Sequence, residues 1–89
     1  MIEEDEASVR VFLHHLKNWR RKRRLSQEML HKASGVSEHT ISLLERSLRK
    51  ANPATIGNLA TALRITPEEL VEVDPYAQGE NRRGAASTR

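Results

Sequence analysis

Apolar positions along the 89-residue chain fall into short helical runs separated by capping residues. Val9, Phe12, Leu13, Leu16 and Trp19 recur at spacings of three and four, which is one face of a helix. The pattern predicts a first helix capped at Asp5 or Ser8 that runs through the basic stretch at 20–24 and ends before Leu25. Ser26 restarts the pattern as an N-cap, and Met29, Leu30 and Ala33 give a short second helix one apolar side. Gly35, in "SGV" at 34–36, ends it, because glycine accepts a left-handed backbone without a Cβ clash. Ser37 opens a third helix with Ile41 and Leu44 inward and Leu48 as a further inward candidate. Pro53 biases Asn52 away from helical angles and suits the first turn of a fourth helix, whose stripe is Ile56, Leu59, Ala60 and Leu63. In "ITPEEL" at 65–70, Thr66 caps the fifth helix, Pro67 takes its first position, and Glu69 can reach back to the cap N–H.

From Asp74 onward the period is lost, two glycines appear and apolar residues are few, which reads as a mobile tail. The fold class expected is therefore all-α, a compact five-helix bundle with no strand. Its expected divisions are an acidic segment at 1–8, one helical domain at 9–74 and a tail at 75–89. A core of this size buries only about 60% of its unfolded surface, so stability should be modest.

Charge sharpens this outline. The net +3 conceals four acids and no base in residues 1–8, then eleven bases and three acids in residues 9–50. Residues 51–89 carry four bases and five acids. A basic block on a small domain is the electrostatic footprint of a polyanion ligand, although a solvated face gives the same count. The run Arg20-Arg21-Lys22-Arg23-Arg24 stops at Leu25-Ser26, where the second helix begins.

Two short helices joined by a glycine turn raise the helix-turn-helix hypothesis. Counting from Gln27, the apolar and turn residues Leu30, Gly35, Val36, Ile41 and Leu44 fall at the fourth, ninth, tenth, fifteenth and eighteenth places. Those apolar side chains must meet inside if the second of the two helices crosses the first steeply, and Gly35 lets the chain turn between them.

Over residues 12 to 71 the chain resembles the Cro and lambda-repressor-like family, also called the XRE type. The resemblance rests on "LSQ" at 25–27, "SGVS" at 34–37, "IS..ER" at 41–46, "NP" at 52–53 and "ITPEEL" at 65–70. His31 departs from the family's usual alanine, and is expected to tilt its helix or point its ring outward. Arg24, Ser47 and Arg64 stand where glycine is common, at a cost if the backbone there needs positive φ.

The resemblance implies a set of roles. Arg20 is expected to pair with Glu45, tying the first helix to the end of the recognition helix; two independent surface charges are the alternative. The recognition helix is expected at 37–46, "SEHTISLLER". Base contacts are assigned to Glu38, His39, Ser42 and Leu43: Glu38 can accept from a cytosine amino group, His39 can donate to guanine, and Leu43 can pack on a thymine methyl. Glu38 equally suits the positive end of a helix, and Leu43 equally suits a core. Phosphate contacts are assigned to Arg23, Arg24 and Gln27 at the start of the second helix, to Ser37 and Thr40, and to Arg46, Arg49 and Lys50 beyond the recognition helix.

The implied function is a sequence-specific double-stranded DNA-binding transcriptional regulator, a small bacterial or phage repressor, acting as a homodimer. Leu70, Val71, Val73 and Tyr76 are the candidate dimer surface. An antitoxin-like module that also binds a partner protein is the second reading. The expected location is the cytoplasm, at the nucleoid: there is no cysteine, no apolar run of membrane length, and an acidic start unlike a signal peptide. No nucleophile–base set, phosphate-cradling glycine loop or metal constellation is visible, so neither an enzyme nor a cofactor or metal is expected. His14 and His15 are adjacent and splay to different faces.

Overall fold

The computed structural model describes residues 10–77. Among these, five helices follow one another: α1 Leu16–Lys22, α2 Gln27–Ser34, α3 Glu38–Glu45, α4 Pro53–Leu63 and α5 Pro67–Glu72. The helical domain contains no strand among the described residues, only a lone antiparallel bridge between Val11 and Ala51. Val9, the caps expected at Asp5 and Ser8, the acidic segment at 1–8 and residues 78–89 lie outside the described residues.

Local chemistry explains the helix starts. The side chains of Ser26, Ser37, Asn52 and Thr66 accept hydrogen bonds from the backbone N–H of Met29, Thr40, Thr55 and Glu69, each three residues on. Glu69 completes a capping box by accepting from the Thr66 N–H at 2.9 Å. The helix ends use left-handed backbone. Gly35 has φ 80°, and Arg24, Ser47 and Arg64 have φ 61°, 58° and 63°. The three glycine-like positions therefore do adopt the conformation that disfavours a side chain.

α1 is shorter than its apolar spacing suggests. The Val11 N–H donates to the Ala51 carbonyl at 3.1 Å, and the Ala51 N–H returns a bond to the Val11 carbonyl at 2.8 Å. Those bonds hold the chain extended at the place where the pattern put helix. A turn at 14–15 then brings Leu13 and Leu16 to the core together, both fully buried. The three–four spacing was thus serving a turn followed by a helix.

The core comprises Leu13, Leu16, Trp19, Leu30, Val36, Ile41, Leu44, Ala51, Ile56, Leu59, Ala60, Leu63 and Leu70. Four expectations need correction. Met29 is 50% exposed and Ala33 is exposed, so Leu30 alone carries α2 into the core and Val36 fills the space after the turn. Leu48 is 63% exposed, because left-handed Ser47 turns the chain off the α3 axis and ends the helical spacing from Leu44. Leu70 is 0% exposed and belongs to the core, so it is removed from the candidate dimer surface.

The C-terminal end is fastened to α1. The Trp19 indole N–H donates to the carbonyls of Val73 at 2.9 Å and Glu69 at 3.2 Å, satisfying the end of α5. Asn18 donates to the Asp74 carboxylate at 3.1 Å, and the Tyr76 N–H donates to the same oxygen at 3.0 Å. Residues 75–77 form a helical turn with Pro75 buried, so ordered chain continues three residues past Asp74.

Candidate nucleic-acid interface

The turn between α2 and α3 is closed by side chains as well as by Gly35. The Ser34 hydroxyl donates to the Leu30 carbonyl at 2.7 Å and accepts from the Val36 N–H at 3.1 Å. His31 Nδ1 lies 3.0 Å from the Val36 carbonyl, which can only accept, so Nδ1 carries the proton. The histidine at the place of the family's alanine thus reaches forward across the turn and latches it.

α3 has two different sides. Ile41 and Leu44 are buried, fixing the helix against the core. Ser37, Glu38 and His39 are exposed, and Thr40, Ser42 and Leu43 are half-exposed. Glu38 and Ser42, and likewise His39 and Leu43, are four residues apart, so they stack in two adjacent rows on the outer face. The Ser37 hydroxyl accepts from the Thr40 N–H at 3.1 Å and donates to the Thr40 hydroxyl oxygen at 2.9 Å. Of this pair, the Thr40 hydroxyl hydrogen is the donor left to face outward.

Glu45 closes the inner end of α3. Arg20 grips its carboxylate with two parallel bonds, Nε at 2.5 Å and a terminal nitrogen at 3.1 Å. The side chains are 12% and 4% exposed, so the pair is largely shielded from solvent. Arg20 also donates to the Leu25 carbonyl at 2.7 Å, joining the α1–α2 link to the same cluster. Gln27 adds a donor that sequence reasoning had placed only on phosphate: its amide donates to Glu45 at 3.1 Å. An amide has two N–H donors, so one remains for an outside acceptor.

The basic run divides. Arg23 Nε donates to the Leu63 carbonyl at 2.7 Å, and its guanidinium lies 5.6 Å from the centre of the Trp19 ring. It therefore caps the end of α4 through Nε, while the residue stays exposed with further guanidinium N–H donors. Arg24 is exposed, two residues before the Ser26 cap of α2. Arg46, Arg49 and Lys50 are exposed beyond α3. His14 Nδ1 lies 3.0 Å from the Ser47 hydroxyl, holding the corner from which these three project.

A polar hollow of about 60 Å³ lies between that corner and the start of α4, lined by Arg10, Thr40, Leu44, Arg49, Lys50, Ala51, Asn52 and Thr55. Lys50 sits 5.3 Å from the centre of the Phe12 ring, which steadies its long side chain. Arg10 and Thr55 were missed by sequence reasoning. The bridge between Val11 and Ala51 brings Arg10 here, and no local pattern announces such a pairing.

Elsewhere, an apolar groove of about 360 Å³ runs between α4 and α5, lined by Pro53, Ile56, Pro67, Glu68, Val71 and Glu72. Asp74 lies away from α3, and its ionisation is shifted. Burial pushes its carboxyl up, but the N–H of Tyr76, the Asn18 amide, the N–H of Ala77 and the nearby His15 ring together hold it below the ordinary 3.8. No group of three or more potential metal ligands converges among the described residues. No helix among them is long and apolar enough to cross a membrane.

Comparison with known proteins adds to this geometry. A family model described as a helix-turn-helix domain matches residues 11–73. Among solved structures, the P22 c2 repressor protein, determined in complex with synthetic operator 9T in the presence of Tl+, is 31% identical, with a TM-score of 0.64. That match covers 72% of this chain and 97% of the repressor chain. No curated protein matches this chain.

Proposed function

The chain belongs to the lambda-repressor-like helix-turn-helix family, and we propose that it is a sequence-specific double-stranded DNA-binding regulator, a small repressor, that lays α3 in the major groove. The observation that carries this reading is the outward double row of exposed Glu38 and His39 and half-exposed Ser42 and Leu43, on a helix whose other side is locked by Ile41, Leu44 and Glu45. A reader of base edges needs that rigidity, because a bidentate or apolar base contact discriminates only when the side chain arrives in a fixed position.

Chemistry on the outer face suits discrimination. Glu38 is an acceptor that phosphate repels, so it is satisfied beside a cytosine amino group and left unpaired beside most alternatives. His39 can donate to guanine, Ser42 can pair with either base type, and Leu43 presents methyl groups to a thymine methyl. Phosphate anchors flank this row. Arg24 and the second amide hydrogen of Gln27 serve one side, with the Ser37–Thr40 pair close by. Arg46, Arg49 and Lys50 serve the other, with the start of α4 behind them.

The protein acts as a homodimer in this reading. With Leu70 in the core, the α4–α5 groove takes over as the dimer surface: it is apolar, it includes Val71, and Pro53 sits beside the basic corner. Selection of bound fragments from random duplex DNA tests the proposal. Two related half-sites one helical turn apart, about 34 Å, are the expected outcome. Recovery of fragments with no shared sequence would count against it.

A further inference from the structure

Val36 joins α2 to α3 with its side chain in the core. Side chains of α2 take both of its backbone polar groups. Its N–H donates to the Ser34 hydroxyl at 3.1 Å, and its carbonyl accepts from His31 Nδ1 at 3.0 Å. Ser34 is two residues away and sets the turn locally, whereas half-buried His31 reaches across it from the middle of α2. The peptide unit that carries the Val36 carbonyl also carries the Ser37 nitrogen, and it is planar. Fixing the carbonyl therefore fixes the plane from which Ser37, the N-cap of α3, departs. Ser37 then holds the first turn: its hydroxyl accepts from the Thr40 N–H at 3.1 Å, and its carbonyl from the Ile41 N–H at 2.9 Å. Glu38 and His39 ride on that turn. The far end of α3 is held separately, by Glu45 on Arg20 and Gln27.

We propose that His31 is a positioning residue for recognition: its bond to the Val36 carbonyl sets the direction in which Glu38 and His39 leave α3, and so sharpens discrimination at the base pairs they face. A side chain selects among base edges only when supporting bonds hold it to a fraction of an ångström, and His31 supplies that support at the start of α3. Losing the bond frees the first turn and leaves the anchorage of Ile41, Leu44 and Glu45 in place. Ser42 and Leu43, beside that anchorage, then keep their positions. The cations beyond α3 do not depend on the bond, so the number of phosphates neutralised stays the same. The role in discrimination rests on the DNA-binding reading above, whereas the latch within the chain does not.

Two measurements on the full chain test it. In the free protein, hydrogen exchange at the Thr40 and Ile41 amides, taken relative to Leu63 in α4, should speed up about tenfold in His31→Ala. His31→Phe, which keeps a ring but has no donor, should do the same. His31→Asn carries an N–H at the same number of bonds from the backbone as Nδ1–H, and should restore the natural ratio. An unchanged ratio in the alanine and phenylalanine variants, or no recovery in the asparagine variant, overturns the latch. On a panel of single-base variants of the selected duplex, His31→Ala should lower discrimination about tenfold at the base pairs that Glu38→Ala and His39→Ala affect, with the salt slope unchanged. Base pairs affected by Leu43→Ala should keep their discrimination, and His31→Asn should recover the rest. A loss spread evenly over the panel, or one that persists in His31→Asn, overturns the positioning role. If the exchange ratios behave as expected while the natural chain prefers no duplex sequence, the latch stands and the positioning role falls with the DNA-binding reading.

Discussion

Gln27 donates its side-chain amide to Glu45, the same carboxylate that Arg20 holds with two parallel bonds. The first residue of α2 and the last of α3 are thereby fixed to α1 through one buried acid. In the proposed mode of binding, Gln27 also faces phosphate. The network then sets the distance between a phosphate anchor and the reading helix.

Breaking this network should be costly. With the Glu45 side chain 4% exposed, Glu45→Ala strands the Arg20 guanidinium and should destabilise the domain by about 3–5 kcal/mol. Replacing both partners with apolar residues, Arg20→Met with Glu45→Leu, should cost distinctly less than the single change. Urea denaturation measures both, and equal losses would show that pairing is not what makes the single change expensive.

Arg64 offers a stabilising change. It sits at φ 63° as the C-cap of α4, with its side chain exposed. Arg64→Gly should relieve left-handed strain and raise stability by roughly 0.5–1 kcal/mol, net of the extra freedom glycine gives the unfolded chain. Thermal unfolding reads the gain. DNA affinity should be unchanged, because Arg64 is not among the proposed anchors. The same change at Arg24 should also stabilise, but weaken DNA binding.

The basic residues should separate by role. Arg49→Ala with Lys50→Ala should weaken binding to every duplex and flatten the log–log salt slope by about 0.9 for each phosphate no longer neutralised. Arg23→Ala should leave that slope unchanged and lower stability by about 1 kcal/mol, because Arg23 bonds the Leu63 carbonyl. Salt titrations of the two variants, beside their denaturation curves, distinguish an anchor from a cap.

Glu38→Ala and His39→Ala should change which sequences are preferred, by about 1–3 kcal/mol per contacted base pair, with little effect on the salt slope. Affinities for a panel of single-base variants of the selected site would show it. A uniform loss across the panel would place these side chains on phosphate instead.

Asp74 gives a pH dependence of defined sign. Its carboxyl is held below 3.8 in the folded protein, so its contribution is fully present above about pH 4 and is lost as pH falls through the folded value. The stability advantage of the natural chain over Asp74→Asn should shrink as pH falls below about pH 4. Trp19 fluorescence reports the transition directly, since its indole N–H bonds Val73, next to Asp74.

The sequence alone determined the helices and where most of them begin. Ser26, Ser37, Asn52 and Thr66 cap through bonds that span three residues, so the information sits within one turn of chain. The stripes of α3 and α4 were legible for the same reason, as was the left-handed turn at Gly35; at Arg24, Ser47 and Arg64 only the resemblance to a family with glycine there raised it. Tertiary structure alone decided what pairs across distance. Ala51 draws Val11 out of a helical pattern, Leu63 claims Arg23 from the basic run, and Asn18 fastens Asp74 where the pattern ended. Leu70 passed for surface because a six-residue helix is too short for periodicity to say which of its apolar residues faces inward. Periodicity and capping are properties of neighbours along the chain; the choice among partners for a long cation, or among faces of a short helix, is made only when the elements pack.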